Sequence, residues 1–421
     1  MNFPDFHYDL FANRDFYIFF FGIVFLDLPR YGFSIIANTA FRRSAPPINP
    51  DFKPRVTVII ASHNGASSIT DSIQSIFLQS HPVHEIILVD DCSSDETTNI
   101  IQTFYDQKLI TLAIFHKRRC GKSSSVNHAA RFATGDLILN LDDDTVLATD
   151  AVERLASVFE DENTAIASGA LTIRNASTSL VTSLQSIEYQ LSIIGGRSFL
   201  DLFGAMPCCS GAFSMFRRQF FIDAGGLNPG PGEDLEITLR ARNFGYDVHF
   251  VESARASVLA PDTFLKLLIQ RLRWDRDELN IRMNQFHEFN VFKKMNRRSE
   301  YVHMLDFLVF TFMPTLLFPA YLIYIYAELG SQSTKFLIDL YLYICPFYVL
   351  LIGLNTLSSK CRMSFFDILV TPVFPFYQGV VMKIVRLCAF VSEIILCCSS
   401  RDDYVPLRIR QALYQAPGKP R

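Results

Sequence analysis

Four stretches of this chain carry no charged residue: Phe16–Leu26, Phe307–Ala327, Leu340–Leu357 and Ile368–Met382. No other feature limits the fold as strongly. The second and third are close to the roughly 20 residues that an α-helix needs to cross a 30 Å hydrocarbon core. The segment from about residue 50 to about residue 300 has, by contrast, an ordinary soluble composition. The expectation is a membrane protein with a globular domain between its spans. The first apolar run is read as one helix over 16–37, with Asp27 and Arg30 spaced to pair on one face. Asp5, Asp9 and Asp15 precede it and no small-residue cleavage site follows, so it is read as an anchor and not a signal peptide. Arg42, Arg43, Lys53 and Arg55 come next and, by the positive-inside rule, put the following domain in the cytoplasm.

The formal net charge of −3 excludes the basic footprint of a nucleic-acid binder. The cysteines show no C-x-x-C or zinc spacing. Cys208-Cys209 and Cys397-Cys398 are adjacent pairs, a poor geometry for a bridge, and are read as reduced thiols.

In the soluble part, strand-like runs at 56–61, 85–90, 109–115 and 136–141 alternate with helical patterns. Ile69, Ile73, Ile76 and Phe77 mark the first helix; others are expected at 96–105, 122–133 and 149–159. Such alternation predicts a parallel sheet with helices on both faces. Ligands then bind beyond the carboxyl ends of the strands. The loops at those ends read SHNG (62–65), DDCSSDET (90–97), HKRRCGKSSS (116–125) and DDDT (142–145). Each is ordinary turn chemistry alone; their expected convergence on one edge is not explained that way.

The CGKS run is not a phosphate-binding P-loop, because position 116 is His and not Gly. Lys122 at a helix start still suits a phosphate. Asp142, Asp143 and Asp144 repel one another, and a divalent cation would relieve that. Strand alternation would put Asp142 and Asp144 on one side and Asp143 on the other; an acidic turn before a helix fits equally well. Glu233 and Asp234 follow a Pro/Gly loop, where acidic groups favour a helix dipole or a general base faces a hydroxyl. Residues 209–218 (CSGAFSMFRR) offer small residues beside a groove, or a strand edge. Trp274 is the single tryptophan and ends the run QRLRW, with Gln270 one turn earlier. It is either an interfacial anchor or a platform for a sugar ring.

Towards the C-terminus, spans are read at His303–Ala327 and Phe336–Leu357. Residues 365–398 carry Pro372, Pro375, Lys383, Arg386 and Glu393, and are read as a broken span lining a glycan channel or as an interfacial helix. Residues 262–296, with Phe264, Leu267, Leu268 and Leu272 on one face, read as amphipathic helices on the membrane surface.

SHNG, the Asp90–Asp95 loop, LDDDT, SGAFSMFRR, GED and QRLRW occur in the order found in inverting family-2 glycosyltransferases. The set most resembles the processive membrane synthases of cellulose, chitin, hyaluronan and poly-N-acetylglucosamine. The resemblance covers about residues 55–280 and the flanking helices. It implies a GT-A-type (Rossmann-like) α/β domain combined with transmembrane and interfacial helices. The domain order would be an N-terminal helix and flank (1–45), a cytoplasmic catalytic domain (46–260), interfacial helices with QxxRW (261–300), C-terminal spans (301–400) and a tail (401–421), with no nucleotide-sensing domain appended.

The same resemblance implies the residue roles. Asp91, with Asp90, His63 and Asn64, would hold the uracil of a UDP-sugar, and Lys122, Asp142 and Asp143 would lie along the nucleotide sugar. Asp142 and Asp144 would form the DxD motif on Mg²⁺ or Mn²⁺, with Asp144 the main ligand. Asp234 would be the base. Glu233, Gln270, Arg273 and Trp274 would face the acceptor and pyrophosphate. The implied activity is β-linked elongation of a glycan from UDP-GlcNAc or UDP-glucose, with extrusion across a cell membrane. Membrane lipid and export proteins would be partners. A non-processive enzyme adding one sugar to a lipid is the alternative, and a catalytically dead scaffold the third reading.

Overall fold

The computed structural model describes residues 14–25, 27–41, 48–286, 297–359, 363–401 and 405–414. Asp5, Asp9, Arg42, Arg43, residues 287–296 of the expected interfacial segment and the end of the tail lie outside them.

One eight-stranded sheet organises the middle of the chain: β1 (Val56–Ser62), β2 (Glu85–Asp90), β3 (Leu112–Phe115), β4 (Leu137–Leu141), β5 (Val146–Leu147), β6 (Thr164–Ile173), β7 (Phe213–Arg217) and β8 (Asp247–Val258). Their order is β3-β2-β1-β4-β7-β6-β8-β5. The first four are parallel, as expected. β1 and β2 are buried along nearly their whole length because helices cover both faces. Alternate β1 residues feed opposite cores. Val58 and Ile60 meet Ile73, Leu139 and Phe213, while Ile59 meets Val89, Val126, Ile138 and Ile237. Each such side chain contributes about 1.5–3 kcal/mol by leaving water.

The second half departs from the all-parallel expectation. β7 inserts antiparallel between β4 and β6, and β5 runs antiparallel to β8. Residues 213–217 are thus a central strand and not an edge. β3 starts three residues later than expected, because Lys108 takes φ +58° and Leu109 N–H closes back on the Phe104 carbonyl.

Outside the sheet the helices differ from their sequence reading in two places. The N-terminal run is two helices, Arg14–Phe25 and Leu28–Phe41, bent by 63° at Asp27, whose φ is +58°. Asp27 and Arg30 each take a distant partner. Lys383 Nζ donates to Asp27 Oδ1 at 3.4 Å and also to the Phe25 carbonyl, and Arg30 pairs with Asp306 at 3.0 Å. Within residues 365–398, short pieces lead into the helix Met382–Leu396. Arg386 there pairs with Asp275 at 3.0 Å, and Glu393 accepts from Ser399. These charges are therefore held by partners within the protein.

By length and composition, one helical run among the described residues, Arg298–Thr356, can cross a membrane, or two if the bent N-terminal pair counts as one. The long run is folded back on itself. Tyr321 and Leu340 both lie within 2.7 Å of where a Cβ on Gly22 would stand, yet residues 19 apart on a straight helix are about 28 Å apart. The reversal falls at Gly330, φ +51°.

Candidate active site

The loops after β1, β2, β3 and β4 meet at one edge of the sheet. Ser62 Oγ donates to Asp143 Oδ2. A Cβ at Gly65 would overlap Asp143 Oδ2 and Ser62 Oγ, so a larger residue there would have to displace this pair. His63 Nδ1 lies 3.0 Å from the Asp91 carbonyl. Asn64 Oδ1 accepts from Ser94 N–H at 2.8 Å.

Asp90 and Asp91 are both 3% exposed but are used differently. Asp90 accepts from Ser93 N–H and the Thr98 hydroxyl, which ties it into its own loop. Asp91 accepts from the amides of Cys120 and Gly121 at 2.8 and 2.7 Å and faces His116 Nδ1 at 2.9 Å. A carboxylate offers about four acceptor positions, so Asp91 keeps one. The sequence reading gave Asp90 and Asp91 a shared task, whereas in the structure Asp90 shapes the loop that carries Asp91.

A second cluster centres on Gly211. Lys122, the first residue of the helix Lys122–Ala130, pairs with Asp142 Oδ1 and donates to the Gly211 carbonyl at 2.8 Å. Asn140 Nδ2 donates to the same carbonyl at 2.8 Å. Gly211 N–H donates to Asp234 Oδ2 at 3.3 Å, and Leu235 N–H to Asp234 Oδ1 at 2.8 Å. A Cβ on Gly211 would lie 3.3 Å from Lys122 Nζ, 3.5 Å from Asp234 Oδ2 and 3.6 Å from Glu233 Oε1. Four side chains from three separate stretches, Lys122, Asn140, Glu233 and Asp234, thus surround one glycine. Burial and the charge of Asp234 push the Glu233 carboxyl up; Lys122 and Arg273 oppose them.

Residues 142–145 are a turn and not strand, with Thr145 N–H donating to the Asp142 carbonyl at 3.2 Å. The expected alternation of Asp142 and Asp144 against Asp143 therefore does not apply. Asp143 is drawn to Ser62, and its carbonyl accepts from Ser72 Oγ at 2.9 Å. Burial, then the charges of Asp142 and Asp143, push Asp144 up to about 6. A cation at this turn would relieve that repulsion. The all-oxygen donors of Asp142 and Asp144 suit Mg²⁺ or Mn²⁺ held by two carboxylates and substrate phosphates.

The helix Phe264–Asn280 forms the remaining wall. A Cβ on Gly232, the residue that starts the Glu233–Asn243 helix with φ +70°, would stand 2.5 Å from Ile281 Cδ1 and 3.2 Å from Asp277 Cβ. This contact ties the Trp274 helix to Asp234. Trp274 is 38% exposed. The Arg271 guanidinium lies over its ring at 4.3 Å and pairs with Glu188 at 2.9 Å. The Tyr377 hydroxyl donates to the same Glu188 carboxylate. Gln270 Oε1 is buried with no hydrogen-bond partner among the described residues. Arg271 and Gly211 were not singled out from sequence. Arg271 sits at the i−3 position from Trp274, a spacing that does place two side chains on one helix face.

Comparison with known proteins accords with this geometry. Residues 57–225 match the family model described as glycosyl transferase family 2. An N-acetylglucosaminyltransferase of Azorhizobium caulinodans is 32% identical over 241 residues, 53% of this chain and 59% of that protein. A poly-beta-1,6-N-acetyl-D-glucosamine synthase of Staphylococcus aureus is 28% identical over 244 residues, 57% of this chain and 58% of that protein. The matched part thus spans less than two thirds of these relatives. In fold, the chain resembles a mannosyltransferase of Pyrobaculum calidifontis solved with GDP-Man and Mn²⁺, with a TM-score of 0.63 and 16% identity over 89% of this chain and 99% of that one.

Proposed function

We propose that this chain, in which residues 57–225 form a family-2 glycosyltransferase domain, transfers N-acetylglucosamine from a UDP donor to a glycan hydroxyl with inversion, and so extends a β-linked polymer. The observation that carries this reading is the meeting of Lys122, Asp142, Glu233 and Asp234 around Gly211. It sets cationic and carboxylate groups side by side at the strand ends, where a sugar diphosphate and an acceptor would meet. The names of the relatives support the choice of N-acetylglucosamine over glucose.

Asp91, His63 and Asn64 hold the base. Lys122 and Arg273 carry positive charge to the pyrophosphate, where negative charge grows as the bond to the sugar breaks. Asp142 and Asp144 would hold Mg²⁺ or Mn²⁺, which supplies further charge neutralisation when bound. Asp234, fixed by two backbone amides, takes the proton from the acceptor hydroxyl as that oxygen attacks the anomeric carbon from the face opposite UDP. Trp274 offers a flat face to the acceptor ring. The apolar helices anchor the domain at a cell membrane, with the catalytic site on the cytoplasmic side.

A second reading is transfer of one sugar to a lipid; the internal pairing of Lys383, Arg386 and Glu393 supports it, because these charges already have partners within the protein. Sizing of the product separates the two. Membranes incubated with labelled UDP-N-acetylglucosamine and Mg²⁺ should yield high-molecular-weight material, with turnover reduced by on the order of 10²–10⁴ in Asp234→Asn, the usual loss of a general base. Label confined to short lipid-extractable product refutes polymerisation; full activity in Asp234→Asn refutes the base.

A further inference from the structure

We propose that Asp91, His116 and Cys120 form an inhibitory site for a borderline-soft divalent cation of the Zn²⁺ class, which competes with the base of the donor for Asp91. The competition rests on the role given to Asp91 above; the cation site does not.

One carboxylate oxygen, one ring nitrogen and one sulfur lie within 4.8 Å of one another here. Zinc binds oxygen and nitrogen at about 2.0–2.2 Å and sulfur at about 2.3 Å, which puts tetrahedral ligand atoms roughly 3.4–3.7 Å apart, so the three side chains would draw in by up to roughly 1 Å to hold one ion. Among the described residues no other trio of His, Cys, Asp or Glu converges in this way, the Asp142–Asp144 turn included. The donor types differ as well. Nitrogen and sulfur ligands select zinc-like ions, whereas the all-oxygen turn suits Mg²⁺ or Mn²⁺. The same protein can therefore hold an activating ion and an inhibiting one at separate places.

The geometry at His116 points the same way. Its Nδ1 faces Asp91 Oδ1 at 2.9 Å. Two lone pairs cannot face each other at that distance, so a proton or a cation must lie between them. The other ring nitrogen, Nε2, meets His128 Nδ1 at 2.9 Å, and the rings stack with centroids 5.2 Å apart. Such an outer partner orients a metal-binding histidine and fixes its tautomer. When a cation takes Nδ1, the ring proton moves to Nε2 and donates to His128; the thiol proton of Cys120 goes to solvent. Burial and Asp91 push the Cys120 thiol up, and Arg408 from the C-terminal helix opposes them. A bound dication outweighs both, as a coordinating thiol is deprotonated outright. A cavity of about 430 Å³, lined by His116, Cys120, Asn127 and His128 among others, gives the ion a path from solvent.

The test uses the full chain in detergent and Cd²⁺ as the probe, because sulfur-to-cadmium charge transfer reports the thiolate directly and without turnover. One equivalent of Cd²⁺ should produce the ultraviolet band. Cys120→Ser should abolish it, and His116→Ala should weaken binding by more than the roughly 10–100-fold lost with an outer-shell partner. UDP should displace the ion, and Zn²⁺ should inhibit transfer competitively with the donor in the native protein and far less in Cys120→Ser. A native protein without the band, or a band unchanged in Cys120→Ser, overturns the site. A band lost in Cys120→Ser but indifferent to UDP keeps the cation site and overturns the competition, which is the failure expected if Asp91 does not hold the base.

Discussion

Replacing Gly232 with alanine tests how Asp234 is held. Gly232 sits at φ +70°, a left-handed conformation that costs a residue with a Cβ about 1–2 kcal/mol. The new methyl would lie 2.5 Å from Ile281 Cδ1. Ile281 is fully buried, so its terminal methyl can give way only against packed neighbours, and overpacking adds about 1–3 kcal/mol. Together these give about 2–5 kcal/mol if the loop keeps its place. The cheaper response is to move the loop, and Glu233 and Asp234 follow directly in the chain. A displacement of about 1 Å at a reacting group costs on the order of 100-fold in rate. The expected result is a turnover loss of that size with donor affinity little changed, since Asp91 and its loop lie on other strands. The assay is transfer kinetics with donor binding measured separately. Ile281→Val removes Cδ1 and alone costs about 0.5–1.5 kcal/mol. In the double variant it should restore the part of turnover due to the clash but not the part due to φ. Near-native turnover in Gly232→Ala, or no recovery in the double variant, would refute the reasoning.

Two other outcomes are expected. Arg271→Ala leaves the half-hidden Glu188 carboxylate without its cation and should lower stability by about 3–5 kcal/mol, the usual penalty for breaking a buried pair. Because Trp274 is the single tryptophan, intrinsic fluorescence reads the loss of the stacked guanidinium directly; unchanged emission and melting would count against the contact. In EDTA, Asp144 is raised to about 6 above an unfolded value near 3.9. Its contribution to stability is full below about pH 4 and lost as pH rises through 6. Thermal melts without metal should therefore fall across that window, and Mn²⁺ should reverse the fall at neutral pH; a metal-independent slope would sink this reading.

The parallel half of the sheet was legible because each strand is a continuous apolar run ended by turn residues, as Val56–Ser62 and Glu85–Asp90 are. β7 was not. Phe213–Arg217 alternates in a way that suits an edge or an interior position alike, and only long-range pairing with β4 and β6 decides. The break at Asp27 was hidden because a positive φ at aspartate leaves no mark in an apolar run. The ion pairs of Asp27 and Arg30 reach across hundreds of residues, which helical spacing cannot report. At the site, sequence order brought out the loops and carboxylates, but peptide groups carry no side-chain signature. Gly211 was therefore legible only as one of the small residues of 209–218, and its link between Lys122 and Asp234 was not. Reading Asp142–Asp144 as strand failed because β4 ends at Leu141 and a turn begins there.

The tie between Asp27 and Lys383 has a consequence for how the chain is made. The two residues are 356 apart in sequence. At a synthesis rate of ~5–20 residues per second, Asp27 leaves the ribosome ~20–70 s before Lys383 exists. Until then its carboxylate has no ammonium to meet, and the N-terminal helix pair lacks this tie. This tie can therefore form only after the sheet domain has been synthesised. A ribosome that stops short of Lys383 releases a chain whose catalytic loops are complete but whose first helix is not yet locked, a species that quality-control proteases would meet with an unpaired acid in its apolar layer.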